Sequence, residues 1–215
     1  MKVIILAGGQ GSRLGYLSEH KPKPMIKIGE RPIIWHIMKI YSSFGYNDFI
    51  IALGNKGEII KDYFKNLKIY NNDLKIDIGN DKIEILNDDN DEKNWNVTLV
   101  DTGLNSLKGS RLKKLEKYLT ANTNMITYGD GVANLNLNDL LNFHNNHGKT
   151  LTITGVFPPS RFGEINEKDG QIVSFSEKPQ TSLGLINGGF MVFEKKMMDI
   201  LSISEDCDFE YKVLE

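Results

Sequence analysis

Val3-Ile4-Ile5-Leu6-Ala7 runs directly into Gly8-Gly9-Gln10-Gly11-Ser12-Arg13-Leu14, a continuous apolar, β-rich run followed at once by a glycine-rich polar loop. An unbroken apolar run of this kind predicts a strand buried on both faces, as in a parallel sheet. Three glycines let the loop backbone approach a ligand closely and turn its N–H groups inward, the arrangement that cradles anions. Arg13 adds a planar donor fork that matches phosphate oxygens. Without a ligand, the same residues make a plain flexible loop.

Two familiar phosphate loops do not fit. A P-loop needs Gly-Lys-Ser/Thr at its end, whereas Gly11 is followed by Ser12-Arg13. A dinucleotide fingerprint starting at Gly9 needs a small residue where Leu14 stands, which disfavours a nicotinamide dehydrogenase. Downstream, Lys21-Pro22-Lys23-Pro24-Met25 sets a lysine between prolines, so Lys23 is aimed at lower entropic cost than on a free loop.

The next segments continue as strand and helix in alternation. Pro32 suits the first position of a helix carrying Ile33, Ile34, Ile37, Met38 and Tyr41, with Trp35-His36 on its buried face and Gly45 at its end. Phe49 to Leu53 reads as a buried strand and Glu58 to Leu67 as an amphipathic helix, the pattern of a parallel α/β sheet. Lys68 to Leu86 reads as two strands, and the acidic, asparagine-rich Asn87 to Asn94 as a surface loop. Strands follow at Asn96 to Val100 and Met125 to Tyr128, with helices at Leu112 to Leu119 and Leu137 to His144. After Thr150 the spacing tightens to strands at Leu151 to Val156, Ile172 to Phe175 and Phe190 to Phe193, then a helix near Lys196 to Leu201 and a helical pattern from Phe209.

The 215 residues suffice for one α/β domain, and 40% hydrophobic with 25% charged residues is ordinary globular composition. A formal net charge of -2 disfavours nucleic acid as the main partner. The single cysteine, Cys207, forbids an intrachain disulfide, and the apolar amino-terminal run is too short for a signal-peptide core. A cytoplasmic protein with no membrane partner is expected.

Met125-Ile126-Thr127-Tyr128-Gly129-Asp130-Gly131 places a carboxylate just past a buried strand, at the sheet edge where ligands sit in open parallel sheets. Asp130 there suits Mg²⁺, and Gly-Asp-Gly equally suits a tight turn. Lys178, in Glu177-Lys178-Pro179, is either a second phosphate contact or a surface lysine. Asn187-Gly188-Gly189 is by itself a hairpin-turn signal. Arg111 is either a ligand contact or a solvated residue at a helix start. His144 and His147 share a helix face without a third zinc ligand, and Asp88 to Glu92 lacks the glycine and terminal glutamate of a calcium loop. No serine or cysteine nucleophile is marked by a local base.

Taken together, Gly8-Gly9-Gln10-Gly11-Ser12-Arg13-Leu14 and Lys23-Pro24-Met25 resemble the signature of the sugar-1-phosphate nucleotidyltransferases. Trp95 to Gly103, Thr127 to Val132, Phe157 to Gly163 and Ile186 to Phe190 are similar to the glucose-1-phosphate cytidylyltransferases within that superfamily. The resemblance implies a Rossmann-like three-layer α/β/α fold with a mainly parallel, mixed central sheet, in a single domain over 1–215. It implies CTP and glucose 1-phosphate as substrates, Mg²⁺ as cofactor and a homo-oligomer. Leu6, Ala7, Gly8, Gly9, Gly11, Ser12, Arg13, Lys23, Ser106, Arg111 and Gly129 would meet the nucleotide, with Asp130 as metal ligand. Glu177, Lys178, Asn187 and Gly188 would meet the sugar phosphate, and Arg13, Lys23, Asp130 and Lys178 would carry catalysis. Family members extend past residue 215, and their second metal-binding aspartate lies in that further segment; Asp206 and Asp208 do not match its motif. That departure leaves a non-catalytic nucleotide-sugar binding module, or an enzyme for another sugar phosphate or base, as alternatives.

Overall fold

A computed structural model describes residues 1–9, 21–87, 91–158, 160, 162–177, 179 and 184–214. The strands are β1 (Val3–Leu6), β2 (Lys27–Ile28), β3 (Arg31–Pro32), β4 (Asp48–Leu53), β5 (Leu74–Asp77), β6 (Lys82–Ile85), β7 (Asn96–Asp101), β8 (Thr123–Tyr128), β9 (Leu151–Val156), β10 (Glu164–Lys168), β11 (Gln171–Ser176) and β12 (Ile186–Glu194). The α-helices are α1 (Ile33–Ser43), α2 (Gly57–Asn71), α3 (Lys108–Leu115) and α4 (Leu137–His147).

Among the described residues, the central sheet has the order β7-β4-β1-β8-β12-β9. β1 pairs in parallel with β4 and β8, and β4 with β7, while β12 runs antiparallel to both β8 and β9. The apolar run of β1 is explained by its central place, because side chains alternate between faces and both faces are covered. Val3 and Ile5 join Phe49, Ile51 and Met125 on one face, against Ile34, Ile37, Met38 and Tyr41 of α1 and Leu137 of α4. Ile4 and Leu6 join Ile50, Ala52, Ile126 and Phe193 on the other, against Leu112 and Leu115 of α3, Met197, Met198 and Phe209. Each fully buried Val, Leu, Ile, Phe or Met among them contributes about 1.5–3 kcal/mol. The result is the mixed, mainly parallel three-layer architecture that the resemblance implies.

Several local expectations are corrected. Pro32 lies in β3 and is the residue before α1, not inside it. Trp35 and His36 are only half-buried; α1 buries the face carrying Ile34, Ile37, Met38 and Tyr41, while Trp35 packs near Trp95 at 6.2 Å between rings. Lys68 to Asn71 extends α2, and the two expected strands are confined to β5 and β6. The hairpin signal at Asn187-Gly188-Gly189 falls inside β12, where register shifts against β9 and Gly189 takes a φ of +83°. The glycine pair thus interrupts the strand's ladder and does not turn the chain. β10, Glu-Ile-Asn-Glu-Lys, was not foreseen, because an exposed polar hairpin strand carries little hydrophobic signal. Of the acidic stretch, residues 88–90 lie outside the described residues.

α3 starts at Lys108, four residues before the expected Leu112. Its early N–H groups have partners supplied from far along the chain: Leu107 N donates to Glu205 O at 2.8 Å and Ser110 N to Cys207 O at 3.0 Å. His144 and His147 converge on the Thr152 hydroxyl, at 2.7 and 2.6 Å, and the His144 ring also meets Glu194 at 3.2 Å. No helix among the described residues is long and apolar enough to cross a membrane.

Candidate active site

From β1 the chain runs outward on one side through β4 and β7, while β8 flanks β1 on the other. The carboxyl ends of β1 and β8 therefore border the point where strand order reverses, the crevice in which open α/β sheets bind ligands. An open cavity of about 590 Å³ lies there. Its walls are Leu6, Ala7, Gly8 and Gly9 after β1, Lys23 and Pro24, the 104–108 loop with Arg111, then Tyr128, Gly129 and Asp130 after β8, and Glu210.

Close backbone contact brings the two strand ends together. Gly129 N donates to Leu6 O at 3.0 Å, and a Cβ on Gly129 would lie 3.0 Å from that oxygen and 2.9 Å from Pro24 Cγ. Lys23 opens a short 3-10 turn, Lys23–Met25, held by Met25 N to Pro22 O at 2.8 Å and Ile26 N to Lys23 O at 3.0 Å. The prolines thus aim Lys23 as its sequence context suggested. Its ammonium reaches Asp130 Oδ2 at 3.8 Å, with 24% and 48% of the two side chains exposed. A cation and a carboxylate therefore face the same cavity as a long, partly exposed ion pair.

Arg111 is not a solvated residue at a helix start; it is 4% exposed. Its Nη1 donates to Leu53 O at 3.0 Å, Thr102 Oγ1 at 2.7 Å and Gly103 O at 2.7 Å, and its Nη2 to Leu104 O at 3.2 Å. These acceptors are neutral oxygens, so the guanidinium stands as a positive charge beneath the glycine turn. Burial pulls its pKa below the ordinary value, and Asp101 acts in the opposite sense. The stacking is close, since a Cβ on Gly8 would lie 2.5 Å from Arg111 Cζ, and one on Gly54 2.5 Å from Gly8 O. Glycine at 8 is required by this approach of side chain to backbone. Ser106 is buried and donates to Thr102 O at 2.7 Å, while Lys114 Nζ bonds both Thr102 O at 2.9 Å and Ser106 Oγ at 2.8 Å. Ser106 and Arg111 therefore line the cavity with much of their hydrogen bonding spent on bracing its 102–106 wall.

Of the residues singled out from sequence, the cavity gathers Leu6, Ala7, Gly8, Gly9, Lys23, Ser106, Arg111, Gly129 and Asp130. Glu177, Asn187 and Gly188 are outside its wall, although Asn187 Nδ2 donates to the hydroxyl of the wall residue Tyr128 at 3.3 Å. Gly11, Ser12, Arg13 and Lys178 lie outside the described residues. Sequence reasoning missed Tyr128, Lys108 and Glu210. Tyr128 had a signal, a polar aromatic at the last position of a buried strand; Glu210 had none, being brought from the far end of the chain. Burial, followed by the hydrogen bond and charge of Glu210, holds the Tyr128 phenol well above its ordinary pKa.

Residues 2–214 match the family model described as nucleotidyl transferase. A glucose-1-phosphate cytidylyltransferase of Salmonella typhimurium is 45% identical over 202 residues, covering 94% of this chain and 78% of that protein. A probable glucose-1-phosphate cytidylyltransferase of Bacillus subtilis is 39% identical over 215 residues, covering 100% of this chain and 83% of that one. Among solved structures, HddC from Yersinia pseudotuberculosis complexed with GMP-PN is 25% identical, with a TM-score of 0.67, covering 99% of this chain and 84% of that one. With the strand-reversal cavity in place and nearly the whole chain matched, the protein belongs to the nucleotidyl transferase family.

Proposed function

We propose that the protein transfers a cytidylyl group from CTP to glucose 1-phosphate, forming CDP-glucose and releasing pyrophosphate. The observation that carries this reading is the cavity at the β1/β8 strand ends, where Gly8, Gly9, Lys23, Arg111 and Asp130 converge. The choice of base and sugar is supported by the 45% and 39% identical relatives named for that activity.

In the transfer, a phosphate oxygen of glucose 1-phosphate attacks the α-phosphorus of CTP, and the bond to the β-phosphate bridging oxygen breaks. The pyrophosphate carries away the electron pair. The nucleophile needs no base, because a phosphomonoester with a second pKa of about 6 is mostly dianionic at neutral pH. The difficulty is to hold two polyanions in line, so positioning and positive charge do the catalysis. The Gly8–Gly9 backbone and Lys23 hold the triphosphate, and Arg111 keeps a positive charge beneath the turn. Arg13 and Lys178, from the family signature, add charge on the triphosphate and the sugar phosphate, with Glu177, Asn187 and Gly188 on the sugar side.

Asp130 fits a magnesium ligand: a hard, half-exposed carboxylate on the cavity wall. No cluster of three or more metal-binding side chains occurs among the described residues. Mg²⁺ commonly takes one or two carboxylates and fills its shell with water and substrate phosphates, so one aspartate is a sufficient foothold. Bound there, the ion would neutralise charge on the phosphates and the leaving group. The same reading has the enzyme cytoplasmic and homo-oligomeric, acting on small molecules and not on nucleic acid or membrane.

The test is pyrophosphate release with CTP and glucose 1-phosphate, run beside GTP, UTP and other sugar phosphates. Asp130→Ala is expected to lower turnover about a hundredfold to several-thousandfold, equivalent to about 3–5 kcal/mol. Turnover with another pair alone would move the substrate assignment. Tight binding without release of pyrophosphate would make the protein a binding module.

A further inference from the structure

Glu210 joins the cavity wall from the carboxyl-terminal segment, and two features set its direction. Phe209 beside it is fully buried in the second core, and Asp208 Oδ1 accepts from the Glu210 and Tyr211 N–H groups at 2.8 and 3.3 Å. One carboxylate oxygen, Oε1, accepts from the Tyr128 hydroxyl at 2.9 Å and from the Lys108 ammonium. The Lys108 ammonium also lies 5.2 Å from the centre of the Tyr128 ring. The other oxygen, Oε2, is shielded from solvent and has no hydrogen-bond partner among the described residues. A buried acceptor left without a donor costs stability, so the placement asks for a reason beyond folding.

Proton counting supplies one. Tyr128 has a single hydroxyl proton, and an ionised carboxylate can only accept, so that proton is committed to Glu210. Towards Asn187 the same oxygen must then accept, which it does from Nδ2 at 3.3 Å. The Asn187 amide is fixed from its other end as well, because Oδ1 accepts from Gly189 N at 2.8 Å. Its NH₂ is therefore turned to the wall residue Tyr128, with one N–H on that hydroxyl and the second left to donate elsewhere. A tyrosine whose proton pointed at Asn187 would meet an N–H with an O–H, and the amide would lose that restraint.

We propose that Glu210 is a positioning residue: through the Tyr128 hydroxyl it sets the polarity of a relay that presents an Asn187 N–H donor to a hydroxyl of the sugar phosphate. The last step rests on the proposed sugar-binding role of Asn187; the relay itself does not.

The experiment compares Tyr128→Phe, Glu210→Ala, Glu210→Gln and the Tyr128→Phe/Glu210→Ala double variant in the intact protein. Two readouts are taken: steady-state KM for each substrate, and the Asn187 side-chain amide resonances, assigned by their loss in Asn187→Asp. Tyr128→Phe is expected to raise KM for the sugar phosphate about tenfold, the equivalent of one hydrogen bond, while KM for CTP changes less than about twofold. Glu210→Gln should recover most of what Glu210→Ala loses, since its amide oxygen accepts the same proton. The double variant should be no worse than Glu210→Ala, and Tyr128→Phe and Glu210→Ala should each shift the same Asn187 amide pair. Multiplicative losses in the double variant, or an Asn187 resonance unmoved by Glu210→Ala, would overturn the relay. Shifted resonances with an unchanged sugar-phosphate KM would overturn the presentation to sugar. Shifted resonances in a protein without transferase activity would instead fault the substrate assignment and leave the relay standing.

Discussion

Replacing Gly8 with alanine probes the stacking of the glycine turn on Arg111. An alanine Cβ would lie 2.5 Å from Arg111 Cζ and 2.9 Å from Nε, well inside the usual contact distance of about 3.5–4.0 Å. The end of a long side chain ordinarily yields at little cost. Here the guanidinium is 4% exposed and Nη1 serves three acceptors, Leu53 O, Thr102 Oγ1 and Gly103 O. Moving it forfeits the two buried bonds, while the carbonyls of Gly103 and Leu104 can turn to water. Bonds from a charged donor are worth about 1.5–3 kcal/mol each. Leu53 O, however, keeps Thr102 N at 3.0 Å and Thr102 Oγ1 at 2.6 Å as donors, so the lower end applies.

The expected destabilisation is about 2–3 kcal/mol, within the range for overpacking. For a chain of this size, that lowers Tm by about 4–12 °C. Without the clash, glycine to alanine at a position of ordinary φ would stabilise by about 0.4–1 kcal/mol, so the sign itself is diagnostic. Thermal unfolding followed by circular dichroism, with a urea midpoint as a second measure, reads the change. In an Arg111→Ala background the same substitution should cost less than about 0.5 kcal/mol, because the group it strikes is gone. An equal cost in both backgrounds, or a Tm for Gly8→Ala at or above that of the parent, would refute the stacking.

Lys23→Ala should raise KM for CTP about tenfold or more, as for loss of one charge-assisted bond. Its ion pair with Asp130 is long and partly exposed, so the urea midpoint should barely move, and a large drop would recast Lys23 as structural. Asn136 caps α4 by accepting from Asn138 N and Asp139 N at 3.0 and 3.3 Å. Asn136→Ala is therefore expected to cost about 1 kcal/mol, or about 2–4 °C in Tm, with kinetics unchanged. The Glu194 carboxyl is held below its ordinary pKa of 4.5, chiefly by the Thr123 hydroxyl and then by His144. The folded state therefore holds this proton less readily than the unfolded state, and the contribution is present above pH 4.5 and fades as pH falls through the folded pKa. Urea midpoints should accordingly fall less steeply in Glu194→Gln than in the parent below that pH; parallel curves would remove Glu194 from the acid response.

The strands and helices of the central layers were legible because burial imposes a period. The apolar run Val3 to Ala7 and those at Phe49 to Leu53 and Met125 to Tyr128 announced strands covered on both faces. Where burial was weak the signal failed, as for the exposed hairpin strand β10. The glycine turn, the proline-held Lys23 and Asp130 at a strand end could be nominated locally, since each depends on neighbours within a few residues. The chain alone also carried the family, through motifs spread from Gly8 to Phe190.

Tertiary structure decided which of these residues share a cavity and what each one faces. Whether Arg111 is solvated or buried depends on Leu53, Thr102 and the glycine turn, none of them its sequence neighbours. The start of α3 depends on carbonyls of Glu205 and Cys207, and the Tyr128 proton on Glu210, contacts 82 or more residues apart. Periodicity reports how a segment meets the core. Hydrogen-bond direction and the approach of one segment to another are fixed only when the sheet has brought them together.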